Sequence, residues 1–126
     1  MSACRGTIDY DVDKYTFKVY RAMTVKRRPH HPLDALKAKF SCVETLEITT
    51  SALRGAEALG YDLQDVVSVV QQLEHGDFIK SETAHNPRNH RVWHDSYRAP
   101  FDDQELYLKF AGETLIDVAL VSFKEA

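Results

Sequence analysis

The chain predicts an α+β fold, with helices gathered in its first half and an antiparallel sheet in its second. Two observations carry this. As far as Gly76, apolar residues recur at helical spacing, and from Phe78 onward the period changes to two. The later segments are separated by the turn-like stretches NPRN, APFDD and GE. Consecutive strands joined by short turns read as a meander, with the helices packed on one face of the sheet.

The elements follow in order. Pro32 suits the first turn of a helix, and Leu33, Leu36 and Phe40 then share one face, so this helix ends by about Cys42. Thr45–Ile48 reads as a short strand. A second helix is expected from about Ser51 to Leu59, with Thr49 or Thr50 as N-cap and Gly60 as its stop. Asp62 caps a third, whose stripe is Leu63, Val66, Val67, Val70 and Leu73, and Gly76 closes it. Strands are expected near 78–84, 90–98, 104–111 and 114–124. The last is apolar on both parities, which predicts a central place in the sheet. Residues 1–24 read as an extension with little structure, although Tyr15, Phe17 and Val19 alternate as in a short strand. Residues 25–126 read as a single domain.

Bulk properties exclude several classes. A chain of 126 residues suits one domain that buries roughly two-thirds of its unfolded surface. No apolar run approaches the roughly 20 residues of a membrane span. The first residues lack an apolar core and carry Asp9, Asp11 and Asp13, so no secretory signal is read and the cytoplasm is expected. Cys4 and Cys42 make no disulfide framework, and Cys42 is expected to pack as a small apolar group. A net charge of −3 argues against a nucleic-acid partner, but the charge is uneven. Residues 26–39 hold Lys26, Arg27, Arg28, Lys37 and Lys39 against Asp34. Residues 80–98 hold Lys80, Arg88, Arg91 and Arg98 against Glu82 and Asp95. A phosphate backbone meets local potential, not the sum over the chain.

Strand parity sorts the side chains that could carry chemistry. His90, Val92, His94, Ser96 and Arg98 share one face, while Arg91, Trp93, Asp95 and Tyr97 share the other. Glu105, Tyr107 and Lys109 make a polar face, with Leu106, Leu108 and Phe110 turned to the core; Lys80 and Glu82 also share a parity. His94, Arg98 and Tyr107 can therefore lie together on an open sheet surface. Such a surface has donors for a phosphate and groups that move protons. RNA cleavage needs those parts, because the substrate brings its own 2′-hydroxyl.

Plainer readings exist for each residue. Lys80 can be a solvated partner of Glu82, Tyr107 a simple sheet tyrosine, and Lys124 a source of solubility. His94 can be an ordinary surface histidine, and Arg98 can pair with Asp95 or Asp77. Trp93 reads as core, not as a platform for a base. His30 and His31 are adjacent and followed by proline, which suits one ion poorly. His85, His90 and His94 have no cysteine or carboxylate at a recognised spacing, so neither metal nor cofactor is expected. A glycine-rich phosphate loop and a Ser/His/Asp signature are also missing from the sequence.

DFIKS, WHDSYR, LYLK and the closing VSFKE stand in the order and rough spacing of the MqsR toxins, which this chain resembles from near Val25 to its C-terminus. VKRRPHHPLDALKAKF is similar to the opening segment of that family, whose members tend to start near the position of Met23. The resemblance implies a RelE-like fold and a messenger-RNA endonuclease that cuts free mRNA at GC-containing sites. It also implies a cognate zinc-carrying helix-turn-helix antitoxin, through which operator DNA would be contacted only indirectly. Lys80 in DFIKS, Tyr107 in LYLK and Lys124 in VSFKE match residues implicated in family activity. His94 falls where the best-known form of the motif has glutamine, giving WHD in place of WQD. Glutamine can only orient or hydrogen-bond, whereas histidine can titrate near neutral pH.

The chemistry expected is metal-independent attack of the 2′-hydroxyl on the adjacent phosphorus. Lys80 and Arg98 would stabilise phosphoryl charge, His94 or Tyr107 would handle protons, and Lys124 would protonate the leaving oxygen or hold the phosphate. Arg98 and Lys109 are the expected RNA-binding cations. A non-catalytic RNA- or protein-binding regulator is the alternative.

Overall fold

The computed structural model describes residues 25–85 and 88–126. The extension expected at 1–24, with its short strand at Tyr15–Val19, lies outside them. The element order is β1 (Val25–Lys26), α1 (Leu33–Lys39), α2 (Thr50–Ala58), α3 (Leu63–Gln71), β2 (Phe78–His85), β3 (Arg88–Phe101), β4 (Gln104–Gly112) and β5 (Ala119–Glu125). Short 3-10 turns occupy Val43–Thr45 and His75–Asp77. The strands form one antiparallel meander in the order β1-β2-β3-β4-β5, and the fold is α+β as expected.

Local chemistry sets the helix ends. The Thr49 hydroxyl accepts the Ala52 N–H at 3.2 Å, and Gly60, at φ 88°, ends α2 in the left-handed conformation that glycine tolerates. Asp62 and Asp65 form a reciprocal capping box at the start of α3. Leu33, Leu36 and Phe40, Ala52 and Ala56, and Val66, Val69, Val70 and Leu73 then meet one sheet face made by Tyr97, Ala99, Leu106, Leu108, Phe110 and Phe123. One continuous core results, and among the described residues no helix packs on the opposite face of the sheet.

Two expected strands differ. At Thr45–Ile48, Thr45 ends the 3-10 turn Val43–Thr45 and Ile48 makes only an isolated parallel bridge to Leu120. The last strand begins at Ala119 and not at 114, because the Asp117 carboxylate gathers the N–H groups of Glu113 and Thr114 and the Thr114 hydroxyl into a turn. β5 is also an edge strand, not a central one. Its two apolar parities have another cause. On one face α2 lies so close that a Cβ on Gly55 would collide with the Phe123 carbonyl. Along the outer edge, Leu120 donates to the Glu47 carbonyl at 2.8 Å and accepts from the Thr49 N–H at 3.0 Å. Around Leu120 the edge is covered, which blunts it there against pairing with other chains.

A buried polar network joins β1 and the 30–31 turn to the sheet. Asp95 is fully buried, and its carboxylate accepts the His30 N–H at 3.1 Å, the His31 N–H at 2.9 Å and the Ser81 hydroxyl. The His30 ring stacks on Trp93 with centroids 5.3 Å apart, and the Lys26 ammonium sits 4.0 Å from the Trp93 ring centroid. His30 Nε2 lies 3.0 Å from the Glu113 carbonyl, which can only accept, so Nε2 carries the proton. Nδ1 is then left to accept from Lys26 Nζ at 3.2 Å.

Burial lowers the Lys26 ammonium to about 8 against the attraction of Asp95. Burial likewise raises the Asp95 carboxyl, and its hydrogen bonds and Lys26 oppose the shift. Much of the basic stretch 26–39 is thus spent inside the fold. Lys37 donates to the Leu73 carbonyl, and Lys39 holds Glu47 and the carbonyls of Ile116 and Val118. Cys42 is disulfide-bonded and not the free packed thiol expected.

His31 is fully buried, and among the described residues neither ring nitrogen has a hydrogen-bond partner. Burial first, then the neighbouring His30, lowers its pKa to about 3 from an ordinary 6.5. Between those values the unfolded chain takes up a proton that the fold refuses. The His31 contribution is therefore complete above pH 6.5 and is lost as pH falls toward 3. From pH 7 to 4.5 the protein should lose on the order of 2 kcal/mol more stability in urea unfolding than His31→Leu does; equal losses would contradict this. Asp95→Asn, which puts an amide among three donors, should cost roughly 2–4 kcal/mol at pH 7 by the same measurement. A cost under about 1 kcal/mol would mean that the carboxylate is not holding the turn.

Candidate active site on the open face of the sheet

A two-residue hairpin fixes the register that builds this face. Asp102 and Asp103 both have positive φ, 55° and 66°, as a type I′ turn requires, and Phe101 then pairs with Gln104. Arg98 consequently pairs with Tyr107, and Tyr107 with Lys124 on β5. One pair along, Lys80 on β2 faces Ser96, Ser96 faces Lys109, and Lys109 faces Ser122. One pair further, Glu82 faces His94, which faces Ala111. A slip of one residue would send all of these side chains into the core.

Lys80, His94, Arg98, Tyr107, Lys109 and Lys124 are thereby gathered on one sheet face, away from the helices. Tyr107 stands at its centre. Its hydroxyl donates to Ser96 Oγ at 3.0 Å. The ammoniums of Lys124 and Lys109 lie 5.4 and 5.9 Å from the centroid of its ring, within cation–π range. Lys80 Nζ is 3.6 Å from a Glu82 carboxylate oxygen. Arg98 Nε donates to Glu105 at 2.7 Å, both side chains being exposed. The pairing considered for Arg98 with Asp95 or Asp77 is not made, and Asp95 is turned to the other face. Among the described residues Lys109 and Lys124 are in no ion pair. Trp93, as expected, is buried on the core side.

Among the described residues four cations, Lys80, Arg98, Lys109 and Lys124, and two carboxylates, Glu82 and Glu105, share this surface, in a chain of net charge −3. The Arg98–Glu105 pair is exposed on both sides and holds its members weakly, and the ammonium of Lys80, half-exposed and 3.6 Å from Glu82, also stays within reach of an incoming phosphate. The face supplies fixed cations for phosphoryl oxygens, an imidazole and a phenol for proton transfer, and hydroxyls for orientation.

Two participants escaped the sequence reading. Ser96 has the right parity, but a short polar side chain on a strand carries no signal until the register puts it between Lys80 and Lys109. Glu82 was read only as a possible solvated partner of Lys80, and the register also places it opposite His94.

An α+β domain that arrays ammonium, guanidinium, imidazole and phenol groups on one open sheet face is equipped for phosphate chemistry. The profile of a family described as "Motility quorum-sensing regulator, toxin of MqsA" matches residues 28–125. The chain is also 37% identical over 100 residues to the mRNA interferase toxin MqsR of Escherichia coli (strain K12), an alignment that spans 79% of this chain and 97% of that protein. The chain belongs to the MqsR toxin family.

Because among the described residues the Tyr107 hydroxyl bonds to a side chain of the open face, Ser96, and to none in the core, Tyr107→Phe should lower stability by no more than about 1 kcal/mol in urea unfolding. A loss above roughly 2 kcal/mol would make Tyr107 a structural residue.

Proposed function

We propose that this protein is a toxin that cleaves messenger RNA by metal-independent transesterification, and that a cognate antitoxin neutralises it. The observation that carries this reading is the register, which gathers Lys80, His94, Arg98, Tyr107, Lys109 and Lys124 on one open face. Membership of a toxin family and similarity to a named mRNA interferase support it further.

In the proposed reaction the 2′-oxygen attacks the adjacent phosphorus as the bond to the 5′-oxygen breaks. A 2′,3′-cyclic phosphate and a free 5′-hydroxyl are left. Lys80 and Arg98 neutralise charge on the phosphoryl oxygens, an effect often worth a few kcal/mol per donor. His94 takes the proton of the 2′-hydroxyl, and Tyr107 or Lys124 delivers one to the leaving oxygen; such proton transfers contribute about 10²–10⁴-fold. Arg98 and Lys109 hold the flanking backbone. RNA supplies the nucleophile, so side chains of these types suffice for the chemistry.

The substrate is proposed to be free mRNA cut at GC-containing sites. The partner is proposed to be a zinc-carrying helix-turn-helix antitoxin, with operator DNA reached only through it. The cytoplasm is the proposed location; among the described residues no helix is long and apolar enough to cross a membrane.

Purified protein should cut a short GC-containing RNA in EDTA and leave the same RNA intact when the candidate site carries a 2′-deoxy sugar. Failure to cut either, by folded protein free of antitoxin, would replace this reading with a non-catalytic RNA- or protein-binding regulator. His94→Gln should flatten the pH dependence of cleavage near neutrality without unfolding the protein, and an unchanged profile would return His94 to an orienting role. Lys80→Ala should slow cleavage at least about tenfold more than it weakens RNA binding. Equal losses would reduce Lys80 to a contact with the backbone.

A further inference from the structure

Ser96 stands apart from the other residues of the open face. It points away from the helices and yet is fully buried. Lys80 and Lys109 flank it in register, and Tyr107 belongs to the next pair along, opposite Arg98. The phenol therefore leans diagonally across β3, a reach open to an aromatic side chain in an antiparallel pair, and donates to Ser96 Oγ at 3.0 Å. This is a specific tether on the central residue of the candidate site.

We propose that Ser96 is a positioning residue for Tyr107, holding its hydroxyl where it can give a proton to the departing 5′-oxygen, an assignment that rests on the ribonuclease reading above. A serine and a tyrosine hydroxyl are each donor and acceptor. The bond between them can reverse without movement of either oxygen. When Tyr107 O–H turns outward to the substrate, Ser96 O–H can donate to the phenol oxygen in its place.

The step balances. The bond from O2′ to phosphorus forms as the bond from phosphorus to O5′ breaks, and the electron pair of the broken bond leaves with O5′. The Tyr107 proton completes the new 5′-hydroxyl, and the 2′-hydroxyl proton passes to His94. The resulting phenolate keeps the Ser96 hydrogen bond and has the Lys109 and Lys124 ammoniums beside its ring. Solvent then returns a proton to Tyr107 and removes one from His94. Among the described residues, the neighbours that bear on Tyr107 are Ser96 and Arg98 on β3, Glu105 and Lys109 on β4, and Lys124 on β5.

The test is a matched pair of substitutions in the full chain. Threonine and valine have nearly the same bulk and both suit a strand, but only threonine keeps the hydroxyl. Ser96→Val should lower kcat for cleavage of a GC-containing RNA about tenfold with KM within about twofold, and Ser96→Thr should retain most of the rate. In a Tyr107→Phe background, Ser96→Val should cost nothing further, because both act through one hydroxyl pair.

Equal losses in the two Ser96 variants, no loss in Ser96→Val, or a full additional loss in the Tyr107→Phe background would each overturn the assignment. Absence of cleavage by the unsubstituted protein would sink the ribonuclease reading instead. The tether itself is read apart from activity, from the NMR resonances of the Tyr107 ring. Ser96→Val should shift or broaden them and Ser96→Thr should restore them, whereas rings unchanged in both would overturn the tether.

Discussion

A carboxylate removed from water costs several kcal/mol unless its oxygens are met by donors, and Asp95 meets that requirement with three donors from two other parts of the chain. The His30 and His31 N–H groups come from the turn before α1, and the Ser81 hydroxyl comes from β2. Asp95 thereby fixes which way β3 faces. With Asp95, Trp93 and Tyr97 held inward, His94, Ser96 and Arg98 must point outward, since successive residues of a strand alternate. The same carboxylate also locks β1 and its following turn, through His30 on Trp93 and Lys26 above it.

The stretch WHDSYR therefore does two jobs at once. Trp93, Asp95 and Tyr97 build the fold, while His94, Ser96 and Arg98 face the site. Neighbouring strands repeat the division. On β4, Leu106, Leu108 and Phe110 fill the core and Tyr107 and Lys109 face out; on β5, Phe123 faces in and Lys124 out. Among the described residues helices cover only one side of the sheet, so four strands, β2 to β5, can lend side chains to one open surface. Lys80 and Arg98 there are partly neutralised by Glu82 and Glu105, while Lys109 and Lys124, in no ion pair among the described residues, lie beside Tyr107.

Parity was legible in the sequence, and it placed His94, Arg98, Tyr107 and Lys109 correctly on a face. Register was not, because it depends on the turn at Asp102 and Asp103, where positive φ at two aspartates is visible only in the backbone. The helices were legible from Thr49, Gly60 and the Asp62 cap. β5 was misplaced because apolar residues on both parities look alike whether a strand is flanked by two strands or covered by α2 and the Glu47–Thr49 segment. The cluster of positive charge at 26–39 was misleading for a related reason. Lysines there cap carbonyls and cover a tryptophan, and composition cannot tell a solvated cation from one spent in the fold.

One surface should serve the substrate and the other the core. NMR of the protein titrated with a GC-containing oligonucleotide, made uncleavable by a 2′-deoxy sugar at the candidate site, tests that division most directly. Perturbed resonances should belong to Lys80, His94, Ser96, Arg98, Tyr107, Lys109 and Lys124, and those of α1, α2 and α3 should stay in place. Perturbation centred on the helices, with the open face silent, would contradict the assignment of this sheet face as the RNA site.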